Sequence, residues 1–194
     1  TEVKNIVLYF TQDCGLDLIK IYNQETKFLH VFFDKNWNSI IDMKSFGHDI
    51  EASWLLDEAL KTIGLENEAY SQMIVDIAYN IANYAINHDG SLMNEEVNGS
   101  IDDTRVWWAQ AEAIVGFYNA FERTHDELFL KIICDLWHYI KEYVIDKRSN
   151  GEWYWSVQED GKPTNENIAD PWKASYHNGR FCIEMIERVL VDDS

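Results

Sequence analysis

Two histidine-bearing segments carry the residue types and spacing of acid–base chemistry. Ser45-Phe46-Gly47-His48-Asp49-Ile50-Glu51 sets an imidazole three residues before a carboxylate, and Tyr176-His177-Asn178-Gly179-Arg180 sets one three residues before a guanidinium. On a helix, residues three apart share a face. A carboxylate beside His48 fixes its tautomer and favours its protonated form, whereas Arg180 beside His177 disfavours the imidazolium. Two histidines with opposite neighbours supply an acid and a base near neutral pH. A third segment, Arg105-Val106-Trp107-Trp108-Ala109-Gln110-Ala111-Glu112, puts Trp108 and Glu112 on one helical face, four residues apart. His48, His177 and Glu51 are therefore the candidate catalytic residues.

Other chemistries compete for the same residues. His48-x-x-Glu51 has half the spacing of a metal site, but no second copy supplies the missing ligands, so no metal is expected. Glu51 and Glu112 qualify as an inverting glycosidase pair only if their carboxyls stand roughly 6.5–9.5 Å apart. No Gly-rich phosphate loop and no G-x-S-x-G elbow is present. His30, His88, His125 and His138 read as caps or surface residues, and Cys182 as core. Tryptophan is abundant, eight residues in the chain. Trp37, Trp107, Trp108, Trp153, Trp155 and Trp172 fall in or beside predicted turns and helix starts, where flat rings with a polar edge suit the apolar faces of sugars.

These segments must be held by helices. Ile50, Trp54, Leu55, Ala59 and Ile63 predict a helix after Ser45, which would cap it, ending at Gly64. Further helices are predicted over 2–21, 66–87, 104–122, 126–146 and 175–190. Hairpins are expected over 28–41, over 90–101 with Asn98-Gly99 as the turn, and over 152–161. Hairpin, helix, helix thus recurs at roughly 60 residues, the mark of stacked units whose open faces only neighbours can cover. The repeat places all three chemical segments at one end of the bundle, around a shared cleft. Six long helices are half the number in a closed α/α ring, so the chain reads as all-α, a single domain over 1–194, half of a barrel with short hairpins at one end.

Composition narrows the partners. Hydrophobic residues make up 46% and charged residues 26%, an ordinary globular balance. No apolar stretch reaches the ~18 residues of a membrane span, and no secretory signal is legible from Thr1 onward. A net charge of -18 repels nucleic acid and anionic membranes and fits a neutral substrate. Cys14, Cys134 and Cys182 are odd in number and far apart, neither a disulfide framework nor a zinc spacing, so a reducing, cytoplasmic setting is expected.

Ser45-Phe46-Gly47-His48-Asp49-Ile50-Glu51-Ala52-Ser53-Trp54, Trp107-Trp108-Ala109-Gln110-Ala111-Glu112-Ala113 and Tyr176-His177-Asn178-Gly179-Arg180 resemble the cellobiose 2-epimerases, of the N-acylglucosamine 2-epimerase superfamily. The resemblance runs over essentially the whole chain but matches only the C-terminal half of that family's length. It implies an (α/α)6 barrel and a cofactor-independent inversion at C2 of the reducing-end glucose of a cellobiose-type disaccharide. By the same resemblance His48 and His177 are the proton-transfer pair, Glu51 and Glu112 orient and hydrogen-bond, Trp108 and Trp172 pack on the sugar, and Arg180 belongs to the pocket. The family's remaining pocket residues lie in its N-terminal half, with no counterpart here. Either a second chain is the partner that completes the barrel or this is an isolated or truncated piece, and the chain alone is expected to have weak activity or none. The alternatives are an aldose–ketose isomerase of the same superfamily, a glycoside hydrolase on an α/α barrel, and a non-catalytic carbohydrate-binding remnant.

Overall fold

The computed structural model describes residues 18–192. The helix predicted over 2–21 lies outside them except for a last turn, Leu18–Ile21. Five long helices follow: α1 (Phe46–Ile63), α2 (Glu68–Tyr84), α3 (Trp107–Thr124), α4 (Glu127–Tyr139) and α5 (Tyr176–Asp192). α4 runs on into a π-helical stretch, Ile140–Val144. A three-stranded antiparallel sheet is formed by β1 (Met43–Ser45), β2 (Glu95–Val97) and β3 (Ser100–Asp102), with Ser45 opposite Glu95 and Glu95 opposite Asp102. A second pair joins β4 (Arg105–Val106) to β5 (Ser156–Val157).

Local chemistry sets most boundaries. Asn98 and Gly99 both hold positive φ, 49° and 79°, as a two-residue type I′ turn requires. Gly64, at φ 66°, ends α1 in the left-handed cap, its N–H reaching the Leu60 and Lys61 carbonyls. Asn67 caps α2 through the Tyr70 N–H, and Asp126 caps α4 through the Leu128 N–H. α3 starts at Trp107 and not at 104, because Arg105 and Val106 pair with Val157 and Ser156. α2 stops at Tyr84, because Ile86 bridges to Leu92. The hairpin expected over 28–41 is reduced to isolated bridges, Tyr22 to Leu29 and Phe33 to Ser39. There the Asp34 carboxylate accepts from the Asn36 and Asn38 N–H groups, and Lys27 and Trp37 take positive φ. Local side-chain bonds have displaced a ladder.

α3 lies at the centre, packed on α1, α2, α4 and α5. From Trp107 to Ala120 all its residues except Trp108 are buried. Small residues let α1 approach it closely. A Cβ on Gly116 would stand 2.6 Å from Ile50 Cγ1, and one on Gly47 2.8 Å from the Ala109 Cβ. Ile50, Trp54, Ile77, Ile81, Ile114, Phe117, Phe129 and Leu136 fill the core, each contributing about 1.5–3 kcal/mol on burial.

The arc stops at α5. Ile183, Ile186 and Val189 recur every third residue along it and remain 57%, 58% and 45% exposed. Cys182, expected in the core, is exposed as well. The reason is the same for all four: of the other long helices, α5 packs chiefly on α3. Among the described residues no helix is long and apolar enough to cross a membrane.

Candidate active site

The starts of α1, α3 and α5 converge on a cleft of about 420 Å3, lined by His48, Glu51, Trp107, Trp108, Trp155, Trp172, Tyr176 and His177. The strands set this convergence: β1 runs directly into α1 and β4 into α3, and the Trp107 N–H that opens α3 bonds the Trp155 carbonyl.

His177 is held through Glu112. Its Nδ1 lies 2.7 Å from Glu112 Oε1, and the Glu112 side chain is wholly buried. The other carboxylate oxygen accepts the Trp54 indole N–H at 3.1 Å. Arg180 donates to Glu112 Oε1 at 2.6 Å and also to Glu51. Glu112 is thus surrounded by donors, the condition for burying a carboxylate. With Glu112 ionised, Nδ1 carries the imidazole hydrogen and Nε2 keeps its lone pair.

His48 is held differently. Its Nδ1 is 2.7 Å from the Ser45 hydroxyl. Ser45 occupies the N-cap position of α1 but makes no cap bond, because its hydroxyl is turned to the imidazole and not to the helix N–H groups. The Trp108 indole touches both histidines, with ring centroids 4.6 Å from His48 and 5.2 Å from His177. That position depends on Gly47: a Cβ there would stand 2.7 Å from Trp108.

The charged neighbours expected from sequence converge in space around His177. Glu51 reaches across to Arg180 and lies 3.9 Å from His177 Nδ1. For His177 the closest charge is Glu112, nearer than the Arg180 nitrogen at 3.4 Å. Spacing alone has Glu51 raising the His48 pKa, and instead that pKa is lowered. Protein packed around the ring, which leaves one edge open to the cleft, disfavours the imidazolium and outweighs the attraction of Glu51; charge on His177 lowers it further. Burial also opposes charge on Arg180, but Glu112 and Glu51 prevail and raise its pKa.

Glu51, Glu112 and His177 offer ligand atoms within 4.8 Å of one another, a geometry able to hold a metal ion. The Arg180 guanidinium bonds both carboxylates from within that group, so the position of a cation is filled by a side chain. The same contact leaves no gap between Glu51 and Glu112 for the water and glycosidic bond of an inverting hydrolase.

Of the tryptophans singled out in the sequence, Trp107, Trp108, Trp155 and Trp172 line the cleft. Trp172 is 79% exposed at its rim. Trp37 packs on Phe33 and Trp153 on Phe181, outside it. Two further contributors stand in the quoted motifs but received no site role from sequence: Trp54, which supports Glu112, and Tyr176, whose ring lies 4.1 Å from His177. The signal for Trp54 is its place three residues after Glu51, on the same helical face.

An arc of α/α hairpins, with imidazoles and carboxylates gathered where its inner helices begin, is half of an (α/α)6 barrel. The family model of N-acylglucosamine 2-epimerase (GlcNAc 2-epimerase) matches residues 16–179, and the chain belongs to that family. It is 42% identical over 191 residues to a cellobiose 2-epimerase of Dictyoglomus turgidum, covering 97% of this chain and 47% of the relative. It is 47% identical over 171 residues to the cellobiose 2-epimerase of Ruminococcus albus, covering 87% and 44%. The solved cellobiose 2-epimerase of Bacillus thermoamylovorans superposes with a TM-score of 0.87 at 55% identity, over 96% of this chain and 46% of that one. The chain spans about half the length of the curated relatives it matches.

Proposed function

We propose that this chain is the C-terminal, proton-transferring half of a cellobiose-type 2-epimerase. The observation that carries the reading is the pair of imidazoles on one cleft, both against Trp108 and each fixed at Nδ1 by a different partner. Once the reducing-end glucose opens, its C1 is an aldehyde and the C2 proton is acidic, because the enediolate shares the charge. One imidazole removes that proton and the other returns one to the opposite face, giving mannose. Epimerisation neither oxidises nor reduces the sugar, so the two imidazoles suffice without a redox cofactor. It is also reversible, so each histidine is the base in one direction and the acid in the other. Glu112 orients His177, Arg180 holds Glu112 and is itself held by Glu51, and Trp108 and Trp172 offer apolar faces to the sugar. A net charge of -18 favours a neutral disaccharide.

The second wall of the pocket is assigned to the further half of the barrel that the matched relatives, about twice as long, carry. Cellobiose incubated in deuterated water, with the chain alone and with a supplied N-terminal half of a relative, tests both points. Deuterium at C2 and a mannose-ended disaccharide, strongest with the supplied half, are expected. A ketose product assigns the chain to aldose–ketose isomerisation, and free glucose assigns it to hydrolysis. No exchange with the half supplied overturns the reading.

A further inference from the structure

Behind the cleft lies a second polar cluster that the proposed reaction does not use. Lys173 is only 2% exposed, a rare placement for lysine, whose ammonium is buried only when paired. Its Nζ donates to Glu152 and, at 2.8 Å, to the Ile168 carbonyl. It also sits 5.4 Å from the centre of the Trp107 ring. The other Glu152 oxygen accepts from Asn178, the residue after His177. Neither Lys173 nor Glu152 lines the cleft.

The cluster joins three parts of the chain. Glu152 belongs to the segment after α4, Lys173 to the irregular stretch before α5, and Asn178 to the first turn of α5. Two routes lead from Lys173 to His177. One runs through Glu152 and Asn178. The other runs through Trp107, whose ring packs edge-on to His177 at 6.3 Å and against Trp155 at 4.7 Å. An ion pair with Lys173 buried and the Glu152 side chain 31% exposed adds little net stability against apolar side chains of similar size, but it fixes direction through several bonds at once.

We infer that Lys173 and Glu152 are positioning residues for His177, a role that rests on the epimerase reading only for its effect on rate. Through the start of α5 and the Trp107 ring they set the angle at which His177 meets the cleft and Glu112.

Histidine NMR titration of the full chain tests this without turnover. Lys173→Met should move the His177 midpoint by about half a pH unit or more. In the completed barrel the same variant should slow C2 deuteration about 10- to 100-fold, the usual effect of losing an outer support, with KM nearly unchanged. Glu152→Gln keeps the shape and removes the charge, and should shift His177 in the same direction by less. It decides the question if Lys173→Met does not fold. The pair Lys173→Met with Glu152→Met should regain thermal stability but not rate; recovery of both would reduce the cluster to packing and overturn the role. An unmoved His177 midpoint in the single variants overturns it too. If the parent barrel shows no C2 exchange while His177 still moves in the variants, positioning is supported and the epimerase reading fails by itself.

Discussion

Glu112→Gln separates orientation from mere packing at His177. The native carboxylate faces only donors: His177 Nδ1 at 2.7 Å and Arg180 at 2.6 Å on one oxygen, and the Trp54 indole N–H at 3.1 Å on the other. Glutamine keeps one acceptor and brings two N–H donors. If the amide nitrogen faces Trp54, two donors oppose each other, which costs about 1–3 kcal/mol when buried. If it faces His177, it donates to Nδ1, forces the imidazole hydrogen onto Nε2, and leaves Arg180 with Glu51 alone. Either way the charge-assisted bonds, worth about 1.5–3 kcal/mol each, weaken or vanish. Because Glu51 still neutralises Arg180, the net loss of stability should be about 3 kcal/mol, and not the larger cost of stranding a buried charge.

On the rate side, a loss of about 3 kcal/mol at an imidazole that charges during proton transfer is about 100-fold. Forcing the wrong tautomer outright costs about 10,000-fold in a serine protease triad, where an Asp→Asn change sits behind the catalytic histidine. The expected fall for Glu112→Gln lies between these. The assay is C2 deuterium incorporation into saturating cellobiose by the completed barrel, beside calorimetry of the same samples. A rate within about threefold of the parent, with a clearly lowered melting temperature, would refute the orienting role and leave Glu112 structural.

Gly47→Ala should push Trp108 out of contact with His48, since the new Cβ would stand 2.7 Å from the indole and 2.8 Å from the Ala109 Cβ; a cost of about 1–3 kcal/mol and a blue- or red-shifted tryptophan emission are expected, and unchanged emission and stability contradict the packing. Because the protein packed around the exposed His48 ring partly desolvates it and lowers its pKa below the ordinary 6.5, the neutral imidazole is favoured in the fold, so its stabilising share is intact above 6.5 and is lost as pH falls through the lowered value; an NMR midpoint for His48 above 6.5 would contradict this. Asp49 has the opposite sign. Burial raises its pKa well above 3.8, only partly offset by the Leu29 N–H, and its Oδ1 has no partner among the described residues. Its stabilising share is full below 3.8 and is lost as pH rises through the raised value, so Asp49→Asn should melt higher than the parent by a margin that grows toward alkaline pH; a margin independent of pH contradicts it.

The fold was legible wherever one period or one turn residue decided the outcome. Asn98-Gly99, Gly64 and the apolar spacing of α1 did so without help from the rest of the molecule. The start of α3 was not legible, because whether Arg105 and Val106 join a strand depends on Ser156 and Val157, far along the chain. The 28–41 hairpin failed for the opposite reason: Asp34 satisfied nearby N–H groups locally, which hydrophobic alternation does not register. At the site, residue identities could be read and pairings could not. Spacing puts Glu51 on the His48 face, but Arg180, arriving from α5, competes for it with a stronger, charge-assisted bond. The His48 pKa then follows partial desolvation by the surrounding protein, a property of the assembled cleft and not of any motif.

That convergence of charged partners explains how the described elements hold the two imidazoles in place. The nearest supports of the two imidazoles come from β1 and from α1, α3 and α5. Ser45 fixes His48, Glu112 fixes His177, Trp54 and Arg180 fix Glu112, and Glu51 fixes Arg180. Had His48 depended on Glu51 alone and His177 on Arg180 alone, each would be a two-residue contact on an open surface, where an ion pair is worth less than about 1 kcal/mol. Linking α1, α3 and α5 through one buried carboxylate instead makes the histidine geometry a property of the packed core. What the described helices leave uncovered is then the face of Ile183, Ile186 and Val189, and not the alignment of the two imidazoles.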